Sequence, residues 1–254
     1  MTCHIDYQAP TGLLDGKIVL VTGANAGIGR AAAMSYAHHG ATVILLGRSV
    51  SRLEVVYDAI EAMNGPQPAI FPLNLESATP QDYLAVASKL EKEFGRLDGL
   101  LHNASILGER VSVEAYDLEL WARVMQVNFT ATLGLTQALL PLLGRSSSAS
   151  VVFTSSSVGR HGRAKWGAYS TSKFATEGLM QILADEHRDA AIRFNSLNPG
   201  ATRTAMRQSA YPDENPMELR TPEEIMPTYL WLMGSSSEGV SGQAFDAQPP
   251  KAKA

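Results

Sequence analysis

Lys17-Ile18-Val19-Leu20-Val21-Thr22-Gly23-Ala24-Asn25-Ala26-Gly27-Ile28-Gly29 decides the architecture of this chain. Lys17 to Thr22 reads as a strand, and its unbroken aliphatic centre marks a strand buried on both faces. Glycines follow at 23, 27 and 29, and then the helix-prone Arg30-Ala31-Ala32-Ala33-Met34-Ser35-Tyr36-Ala37. Such glycines let main-chain N–H groups approach a pyrophosphate, which then sits at a helix N-terminus. Taken alone, the pattern serves equally as a bare strand–helix turn. At the head of an alternating β/α chain it favours a dinucleotide site formed by Thr22, Gly23, Asn25, Ala26, Gly27, Ile28 and Gly29.

That alternation runs the length of the sequence. Further strands are expected at 41–46, 69–73, 97–102, 150–154, 192–197 and 243–246, with helices at 49–63, 80–94, 168–188 and 222–233 between them. Gly40 stands where a helix ends, and two long helices are expected to fill 115–144. The segment 200–220 is polar and contains proline, so it reads as an irregular excursion. The tail 248–254 reads as disordered. The implied class is α/β, with helices on both faces of a mainly parallel sheet.

Size and composition narrow the function. The chain has 254 residues, 45% hydrophobic, enough for one large domain with a core over about 14–247. A net charge of -4 with no Lys/Arg block argues against nucleic acid or an anionic membrane as partner. No apolar stretch approaches the ~20 residues of a membrane span, and the start lacks a signal-peptide pattern. Cys3 is the lone cysteine, which excludes an intrachain disulfide and fits a reducing cytoplasm. The six histidines form no ligand-spaced cluster, so no metal site is expected.

Two further features carry chemistry. Tyr169 and Lys173 are four residues apart in a helical stretch, so a phenol and an ammonium share one face. A nearby cation favours the phenolate and is expected to draw the phenol pKa down from its usual ~10. The second strand ends Leu46-Gly47-Arg48-Ser49, where an acid would bind a ribose 2′-hydroxyl. Arg48 stands beside that point instead and suits a 2′-phosphate, with Arg30 as a possible second charge; NADP(H) is expected over NAD(H).

The glycine turn, Asn128, Ser156 thirteen residues before Tyr169, Lys173 and Asn198-Pro199-Gly200 together resemble the short-chain dehydrogenase/reductase family over about residues 14–247. Val152-Phe153-Thr154-Ser155-Ser156-Ser157-Val158-Gly159-Arg160 and Phe245-Asp246-Ala247-Gln248-Pro249 look closer still to its YciK-type oxidoreductases. The resemblance implies a Rossmann-type, doubly wound sheet of seven strands and an oxidoreductase that interconverts a small carbonyl compound and its alcohol. It implies that Tyr169 exchanges the proton at the substrate oxygen, that Ser156 holds the carbonyl, and that Lys173 holds the nicotinamide ribose and tunes Tyr169. Asn128 is implied to keep a helix kink and a water relay toward Lys173. Cofactor contacts are implied at Asn74, Leu75, Asn103, Ala104, Pro199, Gly200 and Thr202, besides Tyr169 and Lys173. The family usually forms homodimers or homotetramers.

The sequence departs from the family pattern at two places. His102-Asn103-Ala104-Ser105 stands where the family usually shows Asn-Asn-Ala-Gly, with serine in place of a glycine that lets the backbone pass close to the cofactor, so altered spacing is expected there. Asn74 replaces a common aspartate but keeps an amide oxygen for an adenine amino group. His102 reads as a packed strand-end residue, and 157–166 is expected to line the substrate cleft, with His161 an exposed loop residue. Arg203 and Arg207 read as solvated or as attracting an anionic substrate, Thr202 and Thr204 as possible nicotinamide contacts, and Trp166 and Met206 as apolar walls. A cofactor-binding sensor with little turnover is the other functional reading, and retention of the Ser/Tyr/Lys set argues against it.

Overall fold

The computed structural model describes residues 2–249. Seven parallel strands form one sheet in the order β3-β2-β1-β4-β5-β6-β7. They are β1 (Ile18–Thr22), β2 (Thr42–Gly47), β3 (Ala69–Pro72), β4 (Gly99–His102), β5 (Ala149–Thr154), β6 (Ile192–Asn198) and β7 (Ala244–Asp246). The helices are α1 (Gly27–His38), α2 (Val50–Ala62), α3 (Pro80–Phe94), α4 (Leu118–Met125), α5 (Ala131–Leu143), α6 (Gly167–Glu186), α7 (Ala205–Ala210) and α8 (Met226–Met233). Every strand pairing is parallel, so the mainly parallel sheet expected from the alternation is wholly parallel among the described residues.

Alternate residues of each strand supply two cores, which is why the strands read as continuous apolar runs. Val19, Val21, Val43 and Leu45 pack with α1, α2 and α8 on one face. Ile18, Leu20, Ile44 and Leu46 pack with α3, α5 and α6 on the other. Asp98 fastens β1 to β4 at the far end of the sheet: it accepts from Ile18 N (2.9 Å), Ser146 Oγ (2.6 Å) and Arg96 Nε.

The chain winds outward from β1 to β3 and then returns to place β4 beside β1. Strand order therefore reverses between β1 and β4, and a crevice opens at their carboxyl ends. Most boundaries agree with the sequence reading within two or three residues, and α3 agrees at both ends. Its start carries a capping box: Thr79 Oγ1 accepts from Asp82 N, and the Asp82 carboxylate accepts from Thr79 N.

Three elements differ from expectation. The two helices expected over 115–144 are one continuous rod, in which α4 passes through a π turn at Gln126–Thr130 into α5. The segment 200–220 holds α7, whose N-terminus is capped by Thr204 Oγ1 accepting from Arg207 N (3.1 Å). Gln248, expected to begin a loose tail, donates to Pro199 O (2.8 Å), Ala201 O (3.1 Å) and Thr202 Oγ1 (3.2 Å). The remainder of that tail, from 250, lies outside the described residues.

Candidate active site

One cleft runs across the carboxyl ends of the strands, from Arg48 at the end of β2 to Arg207 in α7. At its β1 end, Gly23 has φ +66° and a Cβ there would stand 3.0 Å from Ala104 Cα. At Gly29 a Cβ would meet Gly23 O at 2.2 Å, so only glycine lets α1 start this close to β1. Ala26 caps α1 without a side-chain hydrogen bond, and its first turn holds no acid. The opening N–H groups of α1 are thus left for an anion, and Asn25, Ala26, Gly27 and Ile28 line the cleft around them. These features fit the pyrophosphate of a dinucleotide.

The sequence-expected residues divide by where they stand. Gly23, Asn25, Ala26, Gly27, Ile28, Arg48, Asn74, Leu75, Asn103, Ala104, Ser156, Tyr169, Pro199, Gly200 and Thr202 all line the cleft. Thr22, Gly29, Asn128 and Lys173 do not, being buried behind its wall. Thr22, expected as a cofactor contact, instead staples β1 to the end of β4. Its Oγ1 donates to Leu101 O (3.3 Å) and accepts from Asn103 N (2.9 Å) and Ala104 N (3.0 Å). Asn74 Oδ1 accepts from Glu76 N (3.3 Å) in a local turn, leaving one lone pair toward the cleft.

Tyr169, Lys173 and Ser156 converge where β5 meets α6. Ser156 Oγ stands on the Tyr169 side of the cleft and accepts from Val158 N (3.4 Å). Lys173 Nζ stands 5.6 Å over the Tyr169 ring and donates to Thr154 O (2.7 Å). Burial pushes the Tyr169 phenol up to about 12, with Ser156 pulling the other way. This runs opposite to the expectation that Lys173 would draw it down, because burial desolvates the phenolate. Burial also lowers Lys173 to about 8, opposed by Glu177.

Asn128 lies in the π turn and faces away from the cleft. Its Oδ1 accepts from Ile106 N (2.8 Å), while Nδ2 donates to Ile106 O (3.0 Å) and Ser172 Oγ (3.1 Å). It therefore pins the loop after β4, carrying Ser105, to the helix that carries Tyr169. His102 is buried, stacks on Phe153 at 5.1 Å and hydrogen-bonds Thr136 Oγ1 (2.9 Å).

The far end of the cleft is apolar. Leu107, Val158, Trp166, Tyr169, Met206, Ala210 and Tyr211 form one cluster there. Residues 161–165 are exposed, so of the segment expected to line the cleft only Trp166 at its end does so, and His161 is a surface residue. Arg203 and Arg207 of the loop after β6 are committed within the protein. Arg203 donates to Pro216 O (2.8 Å) and Leu219 O (3.0 Å), and Arg207 makes a two-pronged pair with Glu214 at 2.6 Å. Arg110, which the sequence did not single out, lies between the Trp166 and Tyr211 rings (4.7 and 4.8 Å) and donates to Ala210 O. No sequence spacing joins Arg110 to Tyr211; only the fold brings them together.

No group of three or more potential metal ligands exists among the described residues. Among the described residues no helix is long and apolar enough to cross a membrane.

Comparison with known proteins agrees with this geometry. The short chain dehydrogenase family model matches residues 17–215. The uncharacterized oxidoreductase YciK of Escherichia coli K12 is 54% identical over 243 residues, covering 96% of each chain. A short chain dehydrogenase structure from Pseudomonas syringae is 60% identical with a TM-score of 0.94, covering 96% of this chain and 99% of its own. One from Escherichia coli CFT073, complexed with NADPH, is 55% identical with a TM-score of 0.92, covering 94% of this chain and 100% of its own. A seven-stranded parallel sheet, a glycine turn at its switch point and this degree of identity lead to one conclusion: the chain is an oxidoreductase belonging to the short chain dehydrogenase family.

Proposed function

We propose that the protein is an NADP(H)-dependent oxidoreductase that interconverts an uncharged, apolar-bodied carbonyl compound and its alcohol. The observation that carries this reading is the placing of Ser156 and Tyr169 on the cleft wall where its glycine-turn end meets its apolar end, with Lys173 buried just behind Tyr169. NADPH in the Escherichia coli CFT073 relative supports the cofactor. Arg48, on the cleft rim with no acid beside it, supports preference for the 2′-phosphate.

When bound, NADP(H) supplies or accepts the hydride. The α1 N-terminus and glycine turn would hold its pyrophosphate, Asn74 and Leu75 its adenine, and Lys173 its nicotinamide ribose. Asn103, Ala104, Pro199, Gly200 and Thr202 would line the nicotinamide end. Ser156 would donate to the substrate oxygen and orient it beside the phenol. Tyr169, neutral at pH 7 because its pKa lies near 12, carries the proton that a reduced carbonyl oxygen takes up. Lys173, still mainly protonated at pH 7, stabilises the phenolate that remains. The same residues run in reverse for alcohol oxidation.

Substrate charge follows from the commitments of Arg203 and Arg207. With Arg203 and Arg207 held within the protein, and Arg110 packed between the Trp166 and Tyr211 rings outside the cleft lining, a carboxylate in the Leu107–Trp166–Met206 region would be desolvated without a guanidinium to pair with directly. A sensor role with little turnover is not favoured, since sensing requires neither the phenol nor its ammonium neighbour. The chain is further expected to act as a homodimer or homotetramer in the cytoplasm, where its single thiol stays reduced.

The test is NADPH oxidation followed by absorbance with matched carbonyl pairs, such as acetophenone or cyclohexanone against their carboxylated analogues. The neutral member should be preferred by about tenfold or more in kcat/KM, the factor expected from about 1.4 kcal/mol of unpaired carboxylate burial. Tyr169→Phe should abolish turnover while NADPH still binds, and NADH should serve less well than NADPH. Wild-type rates in Tyr169→Phe would defeat the assignment. Preference for the carboxylated members would defeat the substrate class alone.

A further inference from the structure

Below the Tyr169–Lys173 pair, α6 continues its face with Glu177, one more turn along. Glu177 is buried, yet its carboxylate is fully engaged. Oε1 accepts from Ser155 Oγ (2.6 Å) and Arg160 Nε (3.0 Å), and Oε2 accepts from Ser196 Oγ (2.6 Å). Arg160 reaches onward from Nη1 to Asp246 Oδ1 (3.0 Å) and from Nη2 to Phe245 O (2.9 Å). Asp246 also accepts from Asn198 Nδ2 (2.8 Å), next to Pro199 and Gly200 of the cleft.

This network ties four strand and helix ends around the site. Ser155 precedes Ser156 at the end of β5, Ser196 and Asn198 belong to β6, Asp246 closes β7, and Glu177 shares α6 with Lys173. Its charges also balance, with Lys173 and Arg160 positive and Glu177 and Asp246 negative. The other titratable groups nearby carry no charge near neutrality. His102 on β4 is held to about 3, Tyr169 to about 12 and Tyr229 of α8 higher still. On α4, Glu119 and Arg123 are exposed, and Arg123 pairs with Glu76.

We propose that Glu177 is a positioning residue that keeps Lys173 an ammonium and, through Ser155 and Arg160, fixes the Ser156 turn against it. Removing the Glu177 charge leaves two buried cations facing one carboxylate. Arg160 cannot shed a proton, so the relief falls on Lys173, whose ammonium is already destabilised by burial. Glu177→Gln therefore yields a neutral lysine at a pH where the natural protein still holds a charged one. A glutamine keeps the shape of the contact with Ser155, so loss of charge is separated from loss of packing.

The inference rests on the reading of Lys173 as part of the NADP(H) site, and its test tells the two apart. NADPH affinity is measured by cofactor fluorescence from pH 6 to 9 for the natural protein, Lys173→Ala, Glu177→Gln and the double variant Arg160→Gln/Glu177→Gln. The Lys173→Ala protein should bind more weakly with no inflection in this range. Equal affinity and an unchanged profile in Lys173→Ala would overturn the reading of Lys173 and the inference with it. Glu177→Gln should match the natural protein at low pH and lose affinity with a midpoint displaced downward by at least about one pH unit.

The double variant removes one charge of each sign and should move the midpoint back toward the natural one. A purely structural role predicts the opposite, a double variant worse than Glu177→Gln and a loss equal at every pH. Either of those results, or an unshifted midpoint in Glu177→Gln, would overturn the proposal while leaving the NADP(H) reading intact.

Discussion

His102 shows how one buried side chain writes a pH dependence into the whole protein. Thr136 Oγ1 donates to Thr132 O (2.7 Å), so it accepts from the His102 Nε2–H at 2.9 Å, which assigns a proton to Nε2. Burial, with Lys173 as a second cause, lowers this imidazole from 6.5 to about 3. Between those values the unfolded chain binds a proton that the folded one refuses, so stability rises with pH across the window. The contribution is complete above pH 6.5 and is lost as pH falls toward 3. By pH 4 the loss attributable to this one ring is about 3 kcal/mol. His102→Gln keeps a donor for Thr136 without a titrating group. Urea denaturation at pH 7 and pH 4 should therefore show a fall smaller in the variant than in the natural protein by that amount. Parallel falls would show that the ring does not titrate with unfolding.

At the scale of elements, the rod from Leu118 to Leu143 shows where sequence reading stopped short. Two helices are expected over 115–144, and the structure joins them through an interruption at Gln126–Thr130. The interruption is a π turn, and its cause lies in another element: Asn128 serves Ile106 N and O in the loop after β4 and Ser172 on α6. No periodicity within 115–144 contains that information. The glycine turn and the Tyr169/Lys173 spacing were legible because their partners are a few residues away in sequence. Glu177, one turn past Lys173, was not singled out from the sequence, because its meaning depends on Arg160, Ser196 and Asp246, which only the sheet brings together. Asn128→Ala would leave Ile106 N–H and C=O without partners in a partly buried loop, a cost of about 2–4 kcal/mol. The drop is expected in the urea midpoint with an unchanged denaturant slope. A loss below ~1 kcal/mol would mean that Ile106 finds other partners readily.

For the whole molecule, the continuous apolar strands announced a sheet covered on both faces, and the order reversal between β1 and β4 placed the cleft. Left unexplained by this packing is a stripe on the outer face of α6. Phe174 is 44% exposed and Ile182 56%, with Gly178 midway between them. A Cβ at Gly178 would find nothing within 4 Å, so no neighbour in the chain requires glycine there. A mid-helix glycine costs about 1 kcal/mol relative to alanine, which a close approach by another backbone would offset. Large apolar side chains flanking a bare backbone position suit a second α6 crossing at that point, the self-complementary contact of a two-fold dimer. α4 packs beside α6 and presents Leu118, 80% exposed, at its start. Light scattering on the eluting protein at micromolar concentration should give at least twice the 27.3 kDa of one chain. Gly178→Gln places a long side chain at the crossing and, having open space within its own chain, should elute as a monomer that is still folded by circular dichroism. A monomeric natural protein, or a Gly178→Gln variant with unchanged mass, would remove α6 as the contact.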